Sequence, residues 1–300
     1  MWESFLNGFK AYLQMERSMA DNTIEAYLHD VAMLRDHIID SCNGLGAEFI
    51  ELQHLQSFLV VINELGLAAN TQGRILSGIK SFFRFMMLEE VIKKDPTELL
   101  EAPKQKRTLP HVLSIADIDR LFAAIDHSTP EGTRNRAILE TMYSCGLRVS
   151  ELTGLRISDL YLDVEYIKVT GKGNKERLIP IGDMAIKHIE LYKEHIRKQV
   201  MVKKGNEDIL FLNRLGTGLS RIMIFLIIKE LCLKAGLNGN VHPHTLRHSF
   251  ATHLVEAGAD LRAVQQMMGH KSITTTEIYT HLDRKYLRET LEKYHPRYKN

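Results

Sequence analysis

Long apolar runs are missing from this 300-residue chain, and no uncharged stretch approaches the ~18 residues of a membrane span, so insertion into a bilayer is not expected. Cysteine is scarce. Cys42, Cys145 and Cys232 are odd in number and far apart, and the first residues lack a charged-then-apolar leader with a small-residue cleavage site. A reducing, cytoplasmic location is the expectation. An excess of charge of one sign is lacking too: the net charge is +2. That is too mild to imply a nucleic-acid partner, which requires basic residues clustered on one face. There is no fixed-period repeat and no low-complexity tract. A nucleotide-binding loop around Gly171-Lys172 also fails, because Tyr166 stands where the Walker pattern needs its first glycine and Gly173 where it needs Ser or Thr. No cofactor is expected.

What is present is a chain with 44% hydrophobic residues, enough for a large core and roughly two domains. Residues 1–102 read as helices separated by short breakers. Ile24, Tyr27, Leu28, Val31, Leu34 and Ile38 recur at helical spacing after a start near Asn22. In the helix after Ala69-Asn70-Thr71, Ile75, Ile79, Phe82 and Met86 share one side, while Arg74, Ser77, Gly78, Ser81 and Arg84 share another. The second side is basic and small. For an isolated helix this suits a solvated surface first; the functional alternative is a groove-facing helix whose short residues allow close approach to DNA while Arg74 and Arg84 meet phosphates.

The periodicity lapses between residues 101 and 113, where two prolines and three basic residues mark a linker, set at 103–112. Ser114-Ile-Ala-Asp117 then has the capping-box pattern and opens a second domain over 113–300. A helix through Thr133 to Cys145 is stopped by Gly146, and Arg148 stands at the start of the next. Tyr-Ile-Lys-Val-Thr and Lys-Glu-Arg-Leu-Ile-Pro-Ile flank Gly171-Lys172-Gly173-Asn174, the composition of a hairpin turn with Lys172 at its tip. Later helices carry Leu246, Phe250 and Leu254 as an apolar stripe, then Asp260–Met268, then Ser272–His281 with Tyr279. The tail from 283 to 300 is charged, with Tyr286, Leu287 and Leu291 as its apolar side. The expected class is mainly α with a small antiparallel β-sheet.

The stretch HPHTLRHSFATHL, residues 242–254, holds four histidines and one arginine. A metal site would use His244 and His248, or His248 and His253. Against it, Arg247 lies beside them, and a guanidinium next to a divalent cation is repulsive. A phosphate site fits better, since His244 and Arg247 are three apart and share a helix face. With Arg148, Lys172, His270 and Tyr279 they supply two guanidiniums, an ammonium, two imidazoles and a phenol. Phosphoryl transfer uses such donors on non-bridging, attacking and leaving oxygens, and does not strictly require a metal.

The segments CGLRVSELTGL, VTGKGNKERLIPI, HPHTLRHSFATHLVEAGADLRAVQQMMGH and SITTTEIYTH, together with a finish in YHPR, resemble the successive boxes of the tyrosine recombinase (phage integrase) family, Xer branch. The resemblance runs almost end to end. Met268, often leucine in the family, and Lys271, usually a small polar residue, are minor departures.

The resemblance implies a helical, SAM-like core-binding domain and an α+β catalytic domain that together clamp duplex DNA. It implies that Tyr279 attacks the scissile phosphate to give a 3′-phosphotyrosine, with Arg148 and Arg247 on the non-bridging oxygens. His244 and His270 would hydrogen-bond the phosphate, and Lys172 would protonate the leaving 5′-oxygen. Glu151, one turn from Arg148, is expected to orient the site from behind. Implied partners are a double-stranded recombination site, a second, XerC-like recombinase in a tetramer, and an FtsK-type translocase. The tail would dock on a neighbouring subunit. The implied role is chromosome dimer resolution at a terminus site during cell division. A mobile-element integrase of the same chemistry, a topoisomerase and a non-catalytic DNA-binding regulator are the alternatives.

Overall fold

The computed structural model describes residues 2–42, 44–101, 112–171, 174–237, 241–269 and 281–298. Lys172, His270, Lys271 and Tyr279 lie outside the described residues. The chain divides into two compact units, Met1–Thr108 and Leu109–Asn300.

The first unit is built from α1 (Trp2–Met15), α2 (Asp21–Ser41), α3 (Leu52–Glu64) and α4 (Ala69–Leu88). Helix α2 starts one residue before the expected cap: Ala20 is the N-cap without a side-chain bond, and Asp21 supplies the favourable first-turn charge instead. Ile24, Val31, Leu34 and Ile38 face inward as their spacing requires. Helix α4 is buried over more of its circumference than the apolar stripe suggested, because Leu76, Phe83 and Phe85 are inside as well. Phe82 lies at the centre, stacked on Trp2 at 6.1 Å and meeting Phe9 edge-on at 5.4 Å. Such pairs add about 1 kcal/mol each to the burial of the rings.

The side of α4 expected to be basic and open is only partly so. Ser77 and Arg84 are exposed, Ser81 is half-buried, and Gly78 is buried. A Cβ on Gly78 would sit 3.1 Å from an Asp30 carboxylate oxygen, so its smallness serves the packing of α4 on α2 rather than approach to a ligand. Arg74 is committed to the same contact, with Nη1 2.5 Å from Oδ2 of Asp30, a carboxylate with no exposed surface. The reason is electrostatic: a buried carboxylate needs a partner.

The second unit contains α5 (Ile115–Ala123), α6 (Pro130–Cys145), α7 (Val149–Thr153), α8 (Asp183–Leu191), α9 (Arg221–Lys234), α10 (Pro243–Glu256), α11 (Leu261–Met268) and α12 (His281–Tyr294). Strands β1 (Leu160–Tyr161), β2 (Tyr166–Thr170) and β3 (Glu176–Pro180) form an antiparallel sheet in the order β1-β2-β3. The capping box at α5 forms, with Asp117 N donating to Ser114 Oγ at 3.1 Å and Ser114 N donating to Asp117 Oδ2 at 3.1 Å. Helix α6 starts at Pro130, behind a Thr129 cap, and is buried on every side from Ala137 to Cys145. It packs against α8 and α10 at the centre of the unit.

The tail packs on its own unit. Leu287 and Leu291 are buried in the core that also holds Phe250 and Met267, whereas Tyr286 is exposed. Beyond α12, Tyr298 is buried and its hydroxyl donates to Glu165 at 2.9 Å, while Arg297 bridges Asp119 and Glu140. Within the single chain, the apolar side read from the sequence thus packs on its own unit. The surface it covers is supplied by α10, α11 and β3.

Candidate functional site

The site begins where α6 stops. Gly146 adopts a left-handed conformation at φ 57°, and a Cβ there would fall 2.4 Å from the Phe250 ring, so glycine satisfies both the turn and the contact with α10. The turn delivers Arg148 to the N-cap of α7. Its backbone N–H is satisfied by Glu151, three residues on, at 2.8 Å, and its Nη1 donates to the same carboxylate at 2.8 Å.

Glu151 is the hub. Its side chain is 1% exposed, and besides Arg148 it accepts two parallel bonds from Arg177, at 2.8 and 3.0 Å. Arg247 Nη1 stands 3.7 Å away. Burial by itself would raise the Glu151 carboxyl, but the bonds from Arg177 and Arg148 outweigh it and hold the group below its usual range. It is therefore a carboxylate at neutral pH.

The same three guanidiniums take the last carbonyls of α11. Arg177 Nε donates to Met267 O at 3.0 Å, Arg247 Nη2 donates to Met268 O, and Arg148 Nη2 donates to Gly269 O at 3.3 Å. Arg247 Nη1 also reaches Gly146 O at 2.5 Å. These carbonyls form the negative end of the helix and have no partners within it, which is why cations gather there. Three guanidiniums against one carboxylate leave the cluster at 3 − 1 = +2. Burial, then repulsion from Arg148, brings Arg247 down to about 10. An anion placed beside it would relieve that strain.

His244 occupies the first turn of α10 and is exposed, one turn from buried Arg247. The expected face is therefore formed by a surface imidazole over a sunken guanidinium. His248 is half-buried. His253 is buried, with its Nδ1 2.7 Å from the Tyr143 hydroxyl, an ordinary core contact. Among the described residues no three His, Cys, Asp or Glu side chains group as metal ligands. Arg74, Ser77, Ser81 and Arg84 belong to the other unit and are described above.

Arg177 was not singled out from the sequence, although a signal was there. Strand alternation puts it on the same face as Ile179, which is fully buried. A charge on an inward strand position demands a partner.

Residues 111–285 match the Phage integrase family, and residues 6–90 match the phage integrase N-terminal SAM-like domain. The chain is 41% identical over 296 residues to the tyrosine recombinase XerD of Staphylococcus epidermidis, covering 98% of each. It is 40% identical over 297 residues to the XerD of Oceanobacillus iheyensis, covering 99% of this chain and 100% of that one. Among solved structures, the XerH site-specific recombinase bound to a palindromic difH substrate, a post-cleavage complex, superimposes with a TM-score of 0.71 at 26% identity, covering 89% of this chain and 78% of that one. The Tn1549 transposon integrase shares the fold, with a TM-score of 0.72 at 20% identity, covering 94% of each chain. With matches to both family domains and near full-length relatives at this identity, the chain belongs to the phage integrase family.

Proposed function

We propose that this chain is a site-specific tyrosine recombinase, an enzyme that cleaves and rejoins DNA through a 3′-phosphotyrosine. Tyr279 is the nucleophile. Arg148 and Arg247 hold the non-bridging oxygens of the scissile phosphate, where charge develops in the transition state. His244 and His270 bond the phosphate and help move the nucleophile's proton, and Lys172 gives a proton to the departing 5′-oxygen. Glu151 keeps Arg148 in place. Because a phosphodiester is exchanged for a phosphotyrosyl ester of similar energy, rejoining needs no nucleotide hydrolysis.

The observation that carries this reading is the unneutralised charge of the arginine cluster, with Arg148 still 32% exposed at its edge. A buried cluster at +2 is a site for an anion, and a DNA phosphate supplies one.

The finer assignment is what the resemblance to the Xer branch implies, and the XerD name of the near full-length relatives supports that branch: resolution of chromosome dimers at a terminus site, in the cytoplasm, within a tetramer that includes a second, XerC-like recombinase and answers to an FtsK-type translocase. Residues 1–102 and 113–300, joined by 103–112, would each contact the duplex. The test is to incubate the full chain with its host's fragmented chromosome and sequence the DNA that stays attached after denaturation. One short site near the replication terminus is the expected result, and Tyr279→Phe should trap nothing. Sites at the ends of a mobile element would favour the integrase alternative. Adducts that persist in Tyr279→Phe would overturn the chemistry.

A further inference from the structure

Arg177 is a buried cation on the hairpin to which the chemistry above gives no role. It pairs in register with Val169 on β2 and is 7% exposed. Its guanidinium uses one edge for both Glu151 oxygens, and its Nε for the carbonyl of Met267 at 3.0 Å. Two glycines lie against it. A Cβ on Gly171 would sit 3.3 Å from Arg177 Nη1 and 3.5 Å from Glu151 Oε1, and a Cβ on Gly269 would sit 3.0 Å from Arg177 Cζ. Gly171 immediately precedes Lys172, and Gly269 immediately precedes His270. The Arg177–Glu151 pair is thus the common support for the backbone just before both residues, and for Arg148 through Glu151.

We propose that Arg177 is a positioning residue of the cleavage site: by clamping Glu151 and the end of α11, it fixes the points from which the chain departs toward Lys172 and His270. The inference rests on the reading in which those two residues act on the scissile phosphate. Packing alone does not explain the choice of residue. A bolt between hairpin and helix would be as stable if made of apolar side chains, whereas an ion pair buried beside two more guanidiniums carries a desolvation cost. What a guanidinium adds is direction. Its planar fork fixes a carboxylate in two bonds while Nε holds a carbonyl, a geometry that an ammonium lacks.

The test uses the full chain on a nicked suicide substrate carrying the site it traps, with rates taken from single-turnover progress curves and normalised to the reactive fraction. Arg177→Ala and Arg177→Lys should each bind DNA within about threefold of wild type yet cleave about 100-fold more slowly, the size of loss that small misplacement of catalytic groups produces. Methylguanidinium should restore part of the rate to Arg177→Ala and none to Arg177→Lys. Because Arg177 acts through Glu151, the double variant Arg177→Lys/Glu151→Gln should be no slower than the slower single variant. A purely structural role would lower the reactive fraction and leave the normalised rate unchanged. If Arg177→Ala does not fold, the Lys variant and the double variant still decide.

Normalised rates equal to wild type, or losses that multiply in the double variant, overturn the inference while leaving the recombinase reading intact. A wild-type chain that forms no adduct overturns that reading, and the inference with it.

Discussion

Replacing Glu151 with Gln removes the only negative charge that, among the described residues, lies between the three guanidiniums, and it leaves the cluster at +3. The variant keeps the shape of the side chain but aims an amide N–H₂ at a donor. At risk are four bonds: from Arg148 N, Arg148 Nη1 and the two Arg177 nitrogens, at 2.8, 2.8, 2.8 and 3.0 Å. Breaking a buried ion pair from one side costs about 3–5 kcal/mol, and the partly exposed Arg148 contact adds least to that because water screens it. The expected loss is therefore about 4 kcal/mol in the second unit at neutral pH, where Glu151 is ionised. Urea melts can assign the loss to one unit, because Trp2 is the chain's single tryptophan and lies in the core of the first unit. Far-UV circular dichroism should show an early-melting component, while the Trp2 fluorescence transition stays in place. Sulfate should stabilise the variant more than the wild type, since the emptied site is the stronger anion trap. A loss below about 1 kcal/mol, or an equal shift in both signals, would refute the reading of Glu151 as the cluster's counter-charge.

Lys172→Ala should cleave ordinary DNA very slowly but cut DNA with a bridging 5′-sulfur at nearly the wild-type rate, because a thiolate leaves without protonation. Arg247→Ala should show no such rescue, and equal rescue of both would remove Lys172 as the acid. In the first unit, Arg74→Ala leaves Asp30 buried and unpaired, so the Trp2 transition should shift to lower urea by about 3 kcal/mol, and Asp30→Asn should restore it. If the exposed edge of Arg74 also meets a phosphate, that stable double variant should still lose about one unit of salt slope in DNA binding, and an unchanged slope would confine Arg74 to folding. Truncation after residue 284 should now destabilise the isolated monomer by several kcal/mol through loss of Leu287, Leu291 and Tyr298 from its core, and an unchanged melt would contradict docking in cis. Burial holds His295 down to about 3 and His188 down to about 4. The unfolded imidazoles protonate near 6.5 while the folded ones do not, so stability is full above pH 6.5 and falls as pH drops toward 3. By pH 5, His295 alone accounts for about 2 kcal/mol, and a stability profile that is flat from pH 7 to 5 would show that it is not held neutral.

Local rules were enough for much of this molecule. Helical spacing marks the inner faces of α2 and α10, Ser114 and Asp117 mark the start of α5, Gly146 marks the end of α6, and the glycines around Lys172 mark the hairpin. Each depends on residues within a few positions of one another, and a linear reading captures that. Helix α9 escaped such a reading because its apolar residues run all the way round: Ile224, Ile228 and Leu231 go inside while Ile222 and Leu233 stay out, and only packing makes the choice. The order Arg, Lys, His-x-x-Arg, His, Tyr is likewise written in the chain, and with it the chemistry proposed above. How the site is held is not. Glu151 meets Arg177 across 26 residues, Arg148 meets Gly269 across 121, and Arg247 meets Gly146 across 101. Those contacts exist because α6, the hairpin and α11 end at one place, where exposed carbonyls and a buried carboxylate draw in cations from separate elements. The same physics buries Gly78 and pairs Arg74 with Asp30 beneath a face that reads from the sequence as basic and open. Residue types and periods are local properties of the chain, whereas the partner of a buried charge is decided only when distant segments are brought together out of water.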